Sequence, residues 1–223
     1  MSETMGQKYT VGIPLYEGVG LLDVMGALEP FSLVEDVSDH TMTTYLIAES
    51  TELVEFASAN VQVKPHKSFQ EIDKVDILFV PGSGPEPTAA ALKNDTLLEY
   101  IKTLSTTSTW ITSVCSGSLL LAKLGLLDGF EATTHWEFMP CLREFPEVKI
   151  RDGYHRVVRD GNRITGGGIS SSIEEALEII TIVTSEDVAK GVREILEYYP
   201  QISQAIPPTQ DYCKIDDETL LCK

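Results

Sequence analysis

The chain is poor in basic residues and has no long apolar run. Lys and Arg number 17 against 34 Asp and Glu in 223 residues, which leaves a net charge of −17 at pH 7. So acidic a surface disfavours nucleic acid and anionic membranes as partners, because phosphate groups are bound mainly by Lys and Arg. Lys123 and Asp128 interrupt the longest apolar candidate, which is then too short to span a bilayer. We expect no nucleic-acid partner and no membrane span.

Signatures of secretion, zinc binding and nucleotide binding are missing as well. The N-terminus has no basic segment followed by an apolar one, so we expect a cytoplasmic protein. The four cysteines, at positions 115, 141, 213 and 222, match no zinc spacing. We expect them to be reduced, with Cys213 and Cys222 as exposed free thiols, although these two could pair under oxidation. Neither GxGxxG nor GxxxxGK[ST] occurs, which argues against a bound nucleotide. The sequence therefore predicts neither a zinc site nor a nucleotide-binding site.

Strands alternate with helices along the chain. Asp76–Val80 is a continuous apolar strand, which is typical of strands buried on both faces of a parallel sheet. The apolar and β-branched residues of Trp110–Cys115 predict a second buried strand. Helices are expected over residues 25–37, 88–104, 117–124, 136–145 and 171–199. This alternation predicts an α/β fold, a doubly wound sandwich with a largely parallel central sheet. One domain is expected over residues 9–200, followed by an acidic C-terminal tail over 201–223.

Cys115 stands where an apolar strand turns into an apolar helix. Small Ser113 and Gly117 flank it at two residues on either side, as a sharp strand–turn–helix elbow requires. Unpaired N–H groups and the helix dipole at such a position favour a thiolate. The elbow therefore indicates a nucleophile. The alternative is a buried structural cysteine, which is common in protein cores.

Three loops are predicted to converge on this cysteine. They are Glu17–Asp23, Pro81–Pro85 and Val114–Ser116, each at the carboxyl end of an expected strand. Ligands of doubly wound sheets bind at that edge. The backbone N–H groups of Ser116 and of the Gly82–Gly84 turn are candidates to stabilise charge on a substrate. The alternative for that turn is an ordinary tight turn after a strand.

An acid fits better than a histidine as the partner of Cys115. Of the four histidines, only His135 is expected near the loops, and a half-buried structural histidine with local hydrogen bonds is its simpler interpretation. Asp23 lies among apolar neighbours, so burial would raise its pKa and let it hold a proton for donation. The alternative is that Asp23 caps the following helix. Glu29 is a second candidate acid.

Several separated motifs together resemble the ThiJ/PfpI superfamily, and within it the isonitrile (isocyanide) hydratases. The motifs are Asp76–Gly82, Thr112–Ser118, Ala132–Trp136 and Arg156–Ile169, and the likeness runs from about Val11 to Pro200. The resemblance implies a flavodoxin-like sandwich of the class I glutamine amidotransferase-like type. It also implies a homodimer with its active site near the subunit interface.

The resemblance also implies roles for individual residues. The family nucleophile maps onto Cys115, the active-site aspartate onto Asp23, and the hydroxyl residue after the nucleophile onto Ser116. Ile169 would line the pocket beside the thiol. Ser83 stands where the family usually has a second glycine, and its side chain would narrow the pocket. The implied reaction is cofactor-free hydration of a small-molecule isonitrile (R–N≡C) to an N-substituted formamide.

Three other functions are compatible with these residues. A glyoxalase, deglycase or peptidase activity is one, although a peptidase would be expected to carry histidine directly after the cysteine, where this chain has Ser116. A redox sensor or binding protein that uses oxidation of Cys115 is another. The third is the ligand-sensing domain of a transcription regulator. It would need an appended DNA-binding domain, whereas only a short acidic tail follows Pro200.

Overall fold

The computed structural model describes residues 6–57, 60–151, 153–200, 212–216 and 219. Its strands, in chain order, are β1 (Lys8–Pro14), β2 (Thr41–Ala48), β3 (Val54–Glu55), β4 (Gln62–Val63), β5 (Lys67–Ser68), β6 (Ile77–Val80), β7 (Trp110–Val114), β8 (Glu131–Ala132), β9 (Lys149–Ile150), β10 (Val157–Asp160) and β11 (Arg163–Gly166). Its helices are α1 (Leu21–Ser32), α2 (Val34–Val37), α3 (Pro85–Ala91), α4 (Asp95–Ser105), α5 (Gly117–Lys123), a 3-10 helix (Trp136–Phe138), α6 (Met139–Leu142), α7 (Ser171–Val183) and α8 (Glu186–Ile195). Among the described residues, no helix has both the length and the apolar character needed to cross a bilayer.

A seven-stranded sheet forms the centre of the molecule. Its strand order is β10-β11-β7-β6-β1-β2-β5, and every neighbouring pair is parallel except the β10–β11 hairpin. All four residues of β6 are buried, because helices cover both faces of a doubly wound sheet. Helix α1 packs on α7 and α7 on α8, whereas α5 packs on α6. The predicted α/β sandwich with a largely parallel sheet is confirmed.

Four predicted helices have different bounds in the structure. The one expected over 136–145 is the 3-10 helix followed by α6, and the one expected over 171–199 is α7 followed by α8. The other two are those expected over 25–37 and 88–104. The first begins at Leu21 rather than at residue 25 and ends at Ser32, with Pro30 in its last turn. The helix expected over 88–104 is two helices. Asn94 separates them because its side chain accepts the Leu97 N–H at 3.0 Å and caps α4.

The β10–β11 hairpin precedes α7, and an ion pair connects the two. Gly161, with φ of +57°, lies in the turn between β10 and β11, where a left-handed residue is needed. Ser170 is the N-cap of α7 and makes no side-chain capping bond. Glu174 instead binds the guanidinium of Arg156. That ion pair joins α7 to the residue preceding β10.

The expectation that Cys213 is a free, reduced thiol is wrong. Cys213 forms a disulfide with Cys141, 72 residues away in the sequence and buried in α6. The cause is the packing of the following residues, since Ile215 is only 3% exposed and holds this part of the tail against the domain. Cys115 is a free, buried cysteine. Cys222 lies outside the described residues.

Candidate active site

Cys115 occupies the sharp turn between β7 and α5. Its φ of +56° lies in the left-handed region, which residues other than glycine rarely adopt. Its N–H donates to the carbonyls of Gly166 at 3.2 Å and Gly167 at 2.8 Å. Its own carbonyl accepts the Thr134 hydroxyl at 2.7 Å. The structure therefore contains the predicted elbow, and a strained residue held on both sides in this way is typical of enzyme nucleophiles.

Two glycines allow the backbone to approach the elbow closely. A Cβ at Gly117 would collide with the Val80 carbonyl, and a Cβ at Gly82 would collide with the Ser116 backbone nitrogen. By contrast, a Cβ at Gly84 would meet nothing within 4 Å. The loop after β6 can thus lie directly against the nucleophile only because its first glycine has no side chain.

Asp23 lies in the first turn of α1 and is 1% exposed. Its Oδ2 accepts the Gly82 N–H at 3.1 Å, and its Oδ1 is buried with no hydrogen-bond partner among the described residues. Gly20 is the N-cap of α1, so Asp23 is not the helix cap that the sequence offered as an alternative. Burial raises its pKa to about 7, against the opposing effects of the Gly82 N–H and the Cys115 thiol. This carboxyl can therefore gain or lose a proton near neutral pH.

The thiol of Cys115 is neutral in this environment. Burial raises its pKa well above the usual value, and the neighbouring Asp23 raises the pKa further. The N–H groups of Ser116 and Ile169 point at the sulfur and act in the opposite direction, but burial outweighs them. The thiolate that the strand–helix turn favoured stays a prediction, and the burial of the sulfur opposes it. Cys115 and Asp23 therefore form a pair in which the ionisation of each group affects that of the other.

The side chain of Ser116 supports the loop after β6. Ser116 is fully buried, and its Oγ accepts the Ser83 N–H at 2.8 Å and lies 2.7 Å from Oγ1 of Thr88. The Ser83 hydroxyl donates to the carbonyl of Gly18. The Ser83 N–H, which the sequence suggested as a donor to the substrate, is thus engaged within the protein. No sequence pattern pointed to Thr88.

A cavity of about 290 Å³ opens onto the sulfur of Cys115. It is lined by Gly20, Leu21, Leu22, Asp23, Ala57, Ser83, Gly84, Cys115, His135, Glu137, Phe138 and Ile169. The structure thus brings four of the five predicted site residues together, and the fifth, Ser116, lies behind them. The cavity suits a small substrate whose body is apolar. Within the described ranges, no three His, Cys, Asp or Glu side chains are grouped so that they could hold a metal ion.

His135 and Glu137 form one wall of this cavity. Nδ1 of His135 accepts the Glu137 N–H at 3.3 Å, and burial lowers the pKa of the imidazole. The prediction of a half-buried histidine with a local hydrogen bond is confirmed, and the ring also lines the cavity. Glu137 forms an ion pair with Lys214, with 2.8 Å between Oε1 and Nζ. The sequence offered no sign of this contact, because Lys214 belongs to the distant tail.

Residues 13–182 match the DJ-1/PfpI family. The chain belongs to this family. The isonitrile hydratase of Pseudomonas putida is 34% identical over 191 residues, which cover 85% of this chain and 78% of that protein. The HTH-type transcriptional regulator CdhR of Pseudomonas aeruginosa is 26% identical over 206 residues, covering 92% of this chain but 58% of the regulator.

Solved structures of DJ-1/PfpI proteins show the same fold. A ThiJ/PfpI family protein from Pseudomonas syringae has a TM-score of 0.77 at 29% identity, covering 89% of this chain and 78% of that one. DJ-1beta of Drosophila melanogaster has a TM-score of 0.75 at 21% identity, covering 86% of this chain and 100% of that one. The predicted superfamily is confirmed. Proteins similar to this chain carry the names of an enzyme and of regulators, so membership of the family does not by itself assign an activity. The expected homodimer stays a prediction.

Proposed function

We propose that this DJ-1/PfpI protein hydrates small isonitriles to N-substituted formamides. The observation that carries the proposal is the Cys115 thiol beside the Asp23 carboxyl at a small, largely apolar cavity. An isonitrile presents a compact, electrophilic terminal carbon on an apolar body, which fits such a cavity. The 34% identity to the isonitrile hydratase of Pseudomonas putida supports the same reaction.

In the first half of the reaction, the sulfur of Cys115 bonds to the terminal carbon of the isonitrile. Because the thiol pKa is raised, a base must take the proton as sulfur attacks, and Asp23 becomes ionised as pH rises through about 7. Its Oδ1 has no partner among the described residues, so it is the atom that receives the proton and returns it to the terminal carbon. The product is a thioimidate, Cys–S–CH=N–R, which contains every atom of the thiol and the isonitrile.

In the second half, water adds to the thioimidate carbon and the carbon–sulfur bond breaks. Nitrogen gains one proton, oxygen becomes the formyl oxygen, and the thiol is restored, so nothing is oxidised or reduced. The N–H groups of Ser116 and Ile169 that point at the sulfur stabilise it as it leaves with negative charge. Asp23 accepts the proton of the attacking water and passes it to the departing sulfur.

Incubation of the purified protein with a small alkyl isonitrile tests the proposal. We expect the isonitrile stretching band in the infrared spectrum to disappear while the N-alkyl formamide accumulates in equal amount by mass spectrometry. Protein whose Cys115 has first been alkylated serves as the control and should convert none. Absence of formamide from the untreated protein, at protein concentrations near that of the substrate, would reject the hydratase assignment.

The dependence of activity on pH distinguishes Asp23 from the other carboxyls. The pKa of about 7 predicts that kcat/KM rises with pH through this value, as Asp23 becomes able to accept the thiol proton, and falls at higher pH when the thiol also ionises. In Asp23→Asn, kcat/KM should drop by about 10²-fold or more and lose the acid limb. Glu29→Gln, an exposed carboxyl on the same helix, is the matched control and should keep the profile. An acid limb that persists in Asp23→Asn would assign the ionisation to another group.

The raised pKa of Cys115 also bears on the redox-sensor alternative. Oxidation of cysteine by peroxides proceeds through the thiolate. A buried, neutral thiol is a slow reactant in such chemistry, whereas the hydration reaction removes the proton only as sulfur attacks. The environment of Cys115 therefore supports the hydratase better than the sensor.

A further inference from the structure

Part of the C-terminal tail reaches the wall of the active-site cavity. We refer to Tyr212–Asp216 together with Thr219 as the C-terminal segment. Its Lys214 lies 2.8 Å from Oε1 of Glu137, and both side chains are about one-third exposed, at 32% and 29%. Glu137 in turn lines the cavity that contains Cys115. A positive charge from the tail thus lies just behind the cavity wall.

Several anchors hold the C-terminal segment in this place. Cys213, the residue before Lys214, is joined by a disulfide to Cys141 in α6. Ile215, the residue after it, is 3% exposed, and Thr219 is fully buried. Lys214 is therefore fixed from both sides along the chain, unlike a lysine on a free tail. Its ion pair with Glu137 depends on these anchors.

The position of Lys214 is important because both the cavity lining and the whole chain are acidic. The lining residues include two carboxyls, those of Asp23 and Glu137, and among the described lining residues there is no Lys or Arg. The whole chain carries a net charge of −17, so its surface field repels anions. A single cation close to the cavity therefore changes which charged molecules can approach Cys115.

We infer that Lys214 is a specificity-determining residue, which neutralises Glu137 and so allows neutral and anionic molecules to reach Cys115. This inference rests on the proposed function in one respect only, which is the identity of the substrate. That substrate is an isonitrile with a neutral or acidic substituent. The Cys141–Cys213 disulfide contributes to this specificity, because it positions Lys214 beside Glu137. Without Lys214, Glu137 would present an uncompensated charge to the cavity and repel acidic substrates.

Alkylation of Cys115 measures this charge preference without any turnover. Iodoacetate is an anion and iodoacetamide is its neutral analogue, and mass spectrometry of the peptide that contains Cys115 gives the rate for each. In Lys214→Met we expect the ratio of iodoacetate to iodoacetamide rates to fall by about threefold to tenfold at low ionic strength. The difference should shrink in 1 M salt, which screens exposed charges beyond about 3 Å. Cys213→Ser, which removes the disulfide anchor, should shift the ratio in the same direction.

Two further variants make the result decisive. Glu137→Gln combined with Lys214→Met should restore the wild-type ratio, because the charge that Lys214 neutralises is then absent. Lys190→Met removes a lysine that pairs with Glu194 on α8 at 3.8 Å, and as the matched control it should leave the ratio unchanged. An unchanged ratio in Lys214→Met, or an equal fall in Lys190→Met, would overturn the inference.

A kinetic measurement then connects the preference to hydration. For an isonitrile that bears a carboxylate, Lys214→Met should raise KM more than it does for a neutral isonitrile of similar size, with the smaller change in kcat. If no isonitrile is hydrated, the proposed function fails while the alkylation ratio still decides the role of Lys214. If isonitriles are hydrated with an unchanged KM ratio, the inference about Lys214 fails alone.

Discussion

Replacement of Cys115 by alanine abolishes formamide formation, with an expected loss of at least about 10³-fold, down to the uncatalysed rate. The reason is that every step of the proposed reaction forms or breaks a bond to the sulfur. The same variant shows no adduct by intact-mass measurement, whereas wild-type protein quenched in acid during turnover carries the added mass of one isonitrile. The fold should survive, since alanine is smaller than cysteine and the turn at residue 115 is held by backbone contacts to Gly166, Gly167 and Thr134.

Two further variants show whether activity is lost because the nucleophile is removed or because any thiol is removed. Cys115→Ser keeps the shape but presents a far weaker nucleophile, and we expect it to be as inactive as Cys115→Ala. Cys222→Ala removes a cysteine of the tail and should retain activity. Substantial turnover by Cys115→Ala would mean that water attacks the isonitrile directly, and the covalent mechanism would be wrong.

Replacement of Glu175 by methionine stabilises the protein at neutral pH. Glu175 lies on α7, is fully buried, and neither carboxyl oxygen has a hydrogen-bond partner among the described residues. Burial raises its pKa well above the usual value. The nearby Thr112 side chain and Ser113 backbone act to lower this pKa. Neither makes a hydrogen bond of good geometry to the carboxyl. The Thr112 hydroxyl instead donates to the carbonyl of Leu78 at 3.1 Å. The native protein therefore keeps Glu175 protonated.

The direction of this change in stability follows from the difference between the pKa of Glu175 in the unfolded chain and its raised pKa in the native protein. Above its ordinary pKa of 4.5 the carboxyl ionises in the unfolded chain and not in the native protein. Stability is therefore lost as pH rises from that value toward the raised pKa. Methionine removes this loss, so the gain in the free energy of unfolding should grow as pH rises above 4.5, with a slope of at most about 1.4 kcal/mol per pH unit.

Urea unfolding of both proteins at about pH 5 and about pH 7.5 measures the change. Glu178→Met is the matched control on the same helix. Its carboxyl is 41% exposed and lies 3.8 Å from Arg159, so its removal should change stability by no more than about 1 kcal/mol. That change should also vary little between the two pH values. A Glu175→Met variant that is less stable than wild type at both pH values would show that the carboxyl makes a net favourable contact.

The elements that carry the nucleophile were largely predictable from the sequence. Strands β6 and β7 each differ by one residue from their predicted bounds. Strand β6 is an unbroken apolar run, and β7 consists of apolar, β-branched and small residues that are mostly buried. Their carboxyl ends lie at one edge of the sheet, and β1 lies beside β6. The sheet topology therefore predicted that Asp23 lies near Cys115. The apolar neighbours of Asp23 in the sequence predicted its raised pKa.

The remaining features depend on tertiary packing that no local pattern encodes. A cysteine at the start of a helix suggested a thiolate, but the depth of burial of Cys115 decides its pKa, and burial becomes known only in the folded protein. Thr88 and Glu137 reach the site from elements with no recognisable motif. The disulfide joins residues 72 positions apart, and the sequence does not show where the tail packs.

The short outer strands of the sheet have a consequence for the protein at high concentration. One edge is β5, with two residues, and the other is β10, with four, of which Arg159 and Asp160 are charged. A strand from another molecule extends a sheet by pairing with a long, uncharged outer backbone, and such pairing starts many aggregates. Neither edge offers that backbone. The buried apolar strands that form the core are thus shielded at both ends of the sheet from edge-to-edge association with other copies.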